Sequence, residues 1–554
     1  MKRNSADPVF ADRAGSEIAR NPAAVADEVK DTPELEGGAL RPGGNPSLFS
    51  KNNIGLLAQY AAIGVVYASL YAVIYPAFTV YLHMEGVQTT SISILITLPY
   101  TLKCFIGIIT DCYPIFGYRR RPYMVIGWSV CFACCLAMAC MDIGDPYYPD
   151  PSWADLATLT AEQEAQLNTD APNAGTAYVL LMILANLGSV LAFTASDGIL
   201  VELSQRETLD VRGSTQTMAL VVQYAFQIIA YAVTGFGLNS ADYGGTFEGS
   251  IGLQGVMAIN AGFSLIAIPA SWFLITEEKS VAQNIKEYWS RFFELITHRA
   301  VYQLIMFRFF HNMFSWITVT AMYIVQSSWA GVEPMTQSVM TILGLIVSSS
   351  SLYIMKRVGL NWNWHWVLIV CQVSAVIIDC FPTFFTIWDV FRNQWFWLGV
   401  PLISNFPDAI GYIVTTYALL EVIEEGSEAA TYGMVTAVST LASPFATVIT
   451  KNIDANFDLS YATIQSDTTF AREQVTYAYI IMYCMQIFSL VFLFLLPKQK
   501  AQMQELLARG GKSRRVGIAI LLVALFLFIW SVMTNLMSIF SETSCLKIAG
   551  GTGC

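Results

Sequence analysis

Runs of apolar residues long enough to cross a bilayer limit what this chain can fold into more than any other feature. A hydrocarbon core of roughly 30 Å takes about 20 apolar residues as a helix. Such runs stand near residues 54–82, 88–110, 122–141, 176–201, 213–237, 251–275, 301–330, 335–355, 364–385, 394–420, 431–450, 473–496 and 516–540, numbered here spans 1 to 13. Only 13% of the 554 residues are charged, against roughly a quarter in soluble chains. The expectation is an all-α polytopic membrane protein. Its net charge of −11 argues against nucleic-acid partners, whose phosphates need basic patches.

Orientation follows from the basic residues, which stay on the cytoplasmic side. Arg119–Arg121 follow span 2, Arg206 and Arg212 span 4, and Lys279, Lys286, Arg291 and Arg299 span 6. Lys356 and Arg357 follow span 8, and six more basic residues fall between Lys498 and Arg515 after span 12. The loop 142–175 carries seven acids and no Lys or Arg, as an outside loop should. The amino terminus is therefore expected in the cytoplasm, with residues 1–50 a disordered tail. Six spans (51–275), a charged cytoplasmic linker (276–300) and six more (301–496) give a 6+6 plan, typical of transporters built from repeated halves. The segment Glu202–Gly213 after span 4 is echoed by Glu421–Gly433 after span 10. A basic linker (497–515) leads to an extra helix (516–540), read as a lipid-facing anchor, and to a short outside tail (541–554) where Cys545 and Cys554 can form a disulfide.

Ionisable residues at membrane depth each cost at least roughly 2.5 kcal/mol and need a reason. Lys103, Gly107 and Asp111 share one face of span 2 at i, i+4 and i+8,. Lys103 and Asp197 of span 4 come within roughly 6 Å in depth, so an ion pair between them is feasible, structural or functional. In span 7, Arg308, His311, Ser315, Thr318 and Met322 recur every three or four residues, which reads as a polar stripe on one helix. Arg308 is a candidate partner for a substrate anion, the alternative being a side chain that snorkels to headgroups. His311 is either a titrating group or a core histidine. Span 5 presents Gln216, Gln223 and Gln227, and span 10 presents Asn405, Asp408 and Tyr412 on a helix that Pro401 and Pro407 should break,. Asp408 and Asp197 are the candidate proton carriers, whereas Asp379 should reach water. Tyr67, Tyr71 and Tyr75 are a packing stripe or a stacking surface. Asp111 with Arg119 and Glu202 is a candidate conformational latch, against the plainer reading that the arginines only set topology.

Other chemistry finds no support. The four histidines are scattered and fit no zinc pattern,. Gly511–Lys512–Ser513 lacks the upstream glycine and strand of a phosphate loop. Cys131, Cys134 and Cys135 sit in an apolar helix and read as inert thiols,. No catalytic residue, metal ligand or cofactor is expected, so transport would be driven by gradients.

The segment GIITDCYPIFGYRRRPY (Gly107–Tyr123) carries a Gly-x-x-x-Asp…Gly-x-Arg-Arg pattern between spans 2 and 3. It resembles the signature loop of the major facilitator superfamily, and its inserted PIFGYRRRPY form is similar to that of the folate–biopterin transporter family. SDGILVELSQRE (Ser196–Glu207) resembles the same family's span 4 end. The resemblance implies a major facilitator 6+6 bundle over roughly residues 54–496, and a secondary active transporter of folate or biopterin-type pteridines working by alternating access. Substrate contacts are then expected from Lys103, Asp197, Arg308, Tyr67, Tyr71, Gln223 and Gln227, and proton coupling from Asp197, Asp408 or His311. A small-molecule pteridine, protons and the lipid bilayer are the expected partners of a monomer. The plasma membrane is the expected location, a vacuolar or other organelle membrane the alternative. Rival readings are a carrier of another organic solute, a non-transporting nutrient receptor and a membrane-embedded enzyme.

Overall fold

The computed structural model describes residues 36–84, 86–155, 160–332, 334–537, 543 and 546; Cys545 and Cys554, with their expected disulfide, lie outside them. Helices account for nearly all the regular structure among these residues. Ten of them are long and apolar enough to cross a membrane, and the protein is an integral, multi-pass membrane protein. Span 1 is the helix Ile54–Ala72 continued by a wider turn over Ile74–Tyr81, where Pro76 withholds a backbone N–H.

Spans 7 and 10 are divided. Span 7 consists of Arg299–Ser315 and Met322–Ser328, which corrects the expectation of one continuous stripe: Ser315 ends the first helix and Thr318 lies in the break. The intervening Ile317, Thr318, Val319 and Thr320 are all β-branched and poor at sustaining a helix. Neighbouring spans satisfy the freed backbone: the Thr318 N–H donates to Thr450 Oγ1 at 3.2 Å, the Thr320 N–H to Asp454 Oδ2 at 2.6 Å, and Gln486 to the Ile317 carbonyl at 3.1 Å. Span 10 is Gln394–Gly399, a tight turn Pro401–Ser404, and Asn405–Leu420. Pro401 makes that break. Pro407 falls in the first turn of the last helix, where a missing N–H costs little.

One hydrophobic core draws only on residues 48–275, and another lies within 317–483. A third, drawn mostly from 288–503, reaches across to Ile108, Cys112, Val201 and Leu220. The two sets of spans meet chiefly where span 2 packs on span 11 and span 5 on span 8. Glycines permit the first contact. A Cβ on Gly107 would lie 2.6 Å from the Ala429 carbonyl and the Ala430 Cα, and one on Gly433 would lie 2.6 Å from the Lys103 carbonyl oxygen. Small residues let membrane helices touch backbone to backbone. Span 13, Arg514–Met537, packs across this same seam, against spans 2 and 11 and the linker helix Ile285–Thr297.

Candidate functional site

Lys103 opens the inner helix of span 2, Lys103–Cys112, after a tight turn that contains Pro99. Its ammonium lies 2.6 Å from Asp197 Oδ2 on span 4, and both side chains are buried. Tyr60 of span 1 donates to the other carboxylate oxygen at 2.7 Å. Lys103 Nζ also stands 3.8 Å from the centre of the Phe193 ring and 5.8 Å from that of Tyr432. The buried pair is thus ringed by aromatic faces, which favour a cation electrostatically. Gln216 of span 5 reaches the Tyr432 hydroxyl at 3.4 Å. Tyr67 stacks on Tyr71 and meets Tyr100 edge-on.

Arg308 faces the same region from span 7. It is 5% exposed, and its guanidinium donates to Ser439 Oγ at 2.9 Å and to the Thr415 carbonyl at 3.2 Å. Among the described residues no carboxylate comes within ion-pairing distance of it. Tyr412 and Tyr432 are within electrostatic reach of both Arg308 and Asp197, yet Tyr412 keeps 46% of its surface accessible. Tyr412 is thus accessible and near both buried charges. Lys103 stands eight residues inward of Asp111 and Arg308 nine inward of Arg299, so both lie roughly 12–14 Å from that end. Their depth matches.

The end of the bundle carrying the basic loops is closed by two buried networks. In the first, Arg120 lies 2.5 Å from Asp111 and 3.1 Å from Glu428 of span 11. Burial opposes the Arg120 charge, but Asp111 and then Glu428 outweigh it and hold the guanidinium above its ordinary range. The second oxygen of Asp111 accepts from the Ala430 N–H at 2.9 Å and from Tyr288 at 2.9 Å. Arg119 stands 3.6 Å from Glu202 and 3.7 Å from Glu428. Glu277 holds the arginine loop in place by accepting from the N–H groups of Arg119, Arg120 and Arg121, a carboxylate at the start of a helix.

The second network joins the loop after span 4 to that after span 10. Arg212 and Glu421 lie 2.6 Å apart, both buried. Gln205 donates to the carbonyls of Leu420 and Ile423. Lys500 inserts from the helix Lys500–Arg509 and donates to the carbonyls of Leu209 and Arg212. Burial pushes the Lys500 ammonium down to about 8, with Glu421 opposing. Burial likewise raises Glu207, against hydrogen bonds from Thr215 and Gly213.

The structure therefore gathers Lys103, Asp197, Arg308, Tyr67 and Tyr71 around one region. Gln227 is buried and Gln223 half-buried on span 5, and the Gln223 Oε1 has no partner among the described residues. Asp408 stands apart, exposed, with Asp379 and Cys371 as its charged or polar neighbours. Asp379 accepts from Tyr483 at 2.7 Å. His311 is packed on Phe307 and contacts the Ser489 carbonyl at 3.4 Å. Asp111, Arg119 and Glu202 come together, with Arg120 as the direct partner of Asp111. Sequence reasoning passed over Arg120, Glu421 and Glu428. The repeat echo of Glu202–Gly213 in Glu421–Gly433 was the signal that could have found the two acids.

The model of the BT1 family matches residues 64–145. Folate transporter 1 of Plasmodium falciparum (isolate 3D7) is 33% identical over 61 residues, 11% of this chain and 12% of that protein. The folate-biopterin transporter of Synechocystis sp. is 26% identical over 188 residues, 34% of this chain and 30% of that protein. The chain thus spans under a third of the length of either relative. Among solved structures, the proton:xylose symporter XylE superposes with a TM-score of 0.55 at 14% identity, over 82% of this chain and 98% of that one. A partially occluded, inward-open form of XylE from E. coli gives 0.51 at 14% identity, over 81% and 98%. The chain is a polytopic membrane protein with the major facilitator superfamily fold, and it is similar to the folate–biopterin transporters of the BT1 family.

Proposed function

We propose that the protein is a secondary active carrier of folate- or biopterin-type pteridines, built as two six-helix halves (51–275 and 301–496) that rock about the central chamber. The observation that carries this reading is Arg308: buried, without a carboxylate partner among the described residues, and set beside accessible Tyr412. A substrate anion supplies that missing partner, and a charge-assisted bond to Arg is among the stronger polar contacts. The flat ring of a pteridine stacks on Tyr67, Tyr71 and Tyr412, and Gln223 and Gln227 hydrogen-bond its edge.

In this reading the basic end is cytoplasmic, as the positive loops require, and the closed networks there belong to one of two rocking states. Asp111, Arg119 and Glu202 are part of the latch that must break before the other state forms. Proton coupling runs through Asp197: protonation releases Lys103, and the freed ammonium meets the substrate carboxylate. Asp408 is a second candidate proton carrier, and His311, packed against span 12, a third. The protein acts as a monomer in the plasma membrane. A thermal-shift screen of the purified protein against pterins, folates and amino-acid derivatives tests the assignment. Stabilisation by pterins and folates supports it. Stabilisation only by amino-acid derivatives moves the protein to a different solute class.

A further inference from the structure

Residues 36–50, expected to belong to a disordered tail, are instead folded into the basic end, where backbone bonds to the loop after span 4 hold them. Glu36–Pro46 contains Gly37, Gly38, Gly43 and Gly44, all with positive φ, a conformation that L side chains rarely adopt. Gly37, Gly38 and Gly43 let the chain lie close against the loop after span 4. A Cβ on Gly37 would meet Thr208 Cγ2 at 2.7 Å, and one on Gly43 would meet Arg206 Cδ at 3.2 Å. The backbone bonds are specific. The N–H groups of Leu40 and Arg41 donate to the Gln205 carbonyl at 3.0 and 3.1 Å, and the Leu209 N–H donates to the Gly37 carbonyl at 2.9 Å. The Thr208 N–H donates to Asn45 Oδ1 at 2.9 Å, and Arg212 donates to the Gly38 carbonyl.

From this anchorage one side chain crosses to the other set of spans. Arg41 pairs with Glu428 at the start of span 11. The Arg41 side chain is 13% exposed and that of Glu428 is fully buried. Glu428 is the acid that also holds Arg119 and Arg120. Gln205, whose carbonyl receives the segment, uses its side chain to grip Leu420 and Ile423 across the same seam. The segment is covalently continuous with span 1, yet its Arg41 pairs with an acid of span 11.

We propose that residues 37–45 are a strap that holds the basic end shut, so that the amino-terminal segment sets the balance between the carrier's two states. The inference rests on the alternating-access reading above. It predicts that loosening the strap opens the basic end without any change to the chamber. Losing one charge-assisted hydrogen bond should raise the open-to-closed ratio by at least about tenfold.

The test is a pulsed electron-spin distance measurement on the full-length protein in lipid nanodiscs. Spin-labelled unnatural amino acids replace Phe116, exposed on the loop after span 2, and Val358, exposed in the helical turn Met355–Gly359 that ends span 8, which leaves the native cysteines in place. Arg41→Gln removes the crossing charge. Gly37→Val dislodges the segment with every charged residue intact. Both should enlarge the long-distance population on the order of tenfold, and Arg41→Lys should enlarge it less. If neither variant moves the distribution while Glu428→Gln does, the strap is wrong and the rocking carrier stands. If Glu428→Gln also leaves it unmoved, the rocking reading falls with the strap.

Discussion

Asp111 and Arg120 stand 2.5 Å apart with neither side chain exposed to solvent, and the other oxygen of Asp111 accepts the Ala430 N–H of span 11. One carboxylate thus neutralises the arginine of its own half and caps a helix of the other. Asp111→Asn keeps the shape and loses the charge. Glu428 still faces Arg120 at 3.1 Å, so the expected loss is about 1–3 kcal/mol from the closed arrangement rather than unfolding. Uptake should fall while expression and binding to a trapped state stay near normal. Unaltered uptake would reduce Asp111 to a structural cap.

The Lys103–Asp197 pair separates a structural from a functional ion pair. Removing one partner leaves a buried charge uncompensated, at a cost of roughly 3–5 kcal/mol, whereas replacing both with apolar residues of similar size is often tolerated. Lys103→Met and Asp197→Leu should each lower the melting temperature, and the double variant should recover it. Transport should stay absent in the stable double variant. Recovery of both stability and transport would leave the pair no role in the chemistry.

Arg308 recognises charge by geometry. Lysine keeps the positive charge but lacks the planar fork that grips a carboxylate at two points. Arg308→Lys should therefore weaken binding of a carboxylate-bearing folate more than that of neutral biopterin, measured by calorimetry on the same preparation. An equal loss for both ligands would assign Arg308 to the bundle, through Ser439 and Thr415.

A pH effect is expected at the opposite end. Hydrogen bonds from Arg392, and then from Arg472 against a small burial cost, hold the Asp467 carboxyl well below the usual carboxylate range. In the unfolded chain it titrates near 3.9, so the unfolded state binds more protons in the window below that value. The stabilisation is present above about pH 4 and is lost as the pH falls further. The pair is partly exposed, so the effect is modest, roughly 1 kcal/mol. Melting temperatures measured from pH 3 to 7 should fall less steeply at the acid end for Asp467→Asn than for the unaltered protein. Parallel curves would contradict the assignment.

The membrane-spanning helices were legible because each is a long apolar run, and Lys103 and Asp197 because charge at that depth needs an opposite partner. The break in span 7 was not. Its β-branched run Ile317–Thr320 is as apolar on average as a helix would be, and the bonds that stabilise the unwound chain come from Thr450, Asp454 and Gln486, more than a hundred residues away. The direct partner of Asp111 was also hidden. Three consecutive arginines look alike in sequence, and only the close packing of Arg120 against Gly198, where a Cβ would lie 2.6 Å from the guanidinium, turns that one inward. Glu421 and Glu428 were not candidates because nothing local reveals that Arg212 and Arg120 fold back onto them.

Movement of substrate across a sealed membrane is what separates a carrier from a receptor. Purified protein in proteoliposomes, loaded at neutral pH and given an acidic outside, should accumulate radiolabelled folate or biopterin above protein-free vesicles. Collapsing the proton gradient should abolish the accumulation, and Arg308→Lys should depress it for folate more than for biopterin. Saturable binding of pteridine with no accumulation under any imposed gradient would contradict the account and make the protein a receptor.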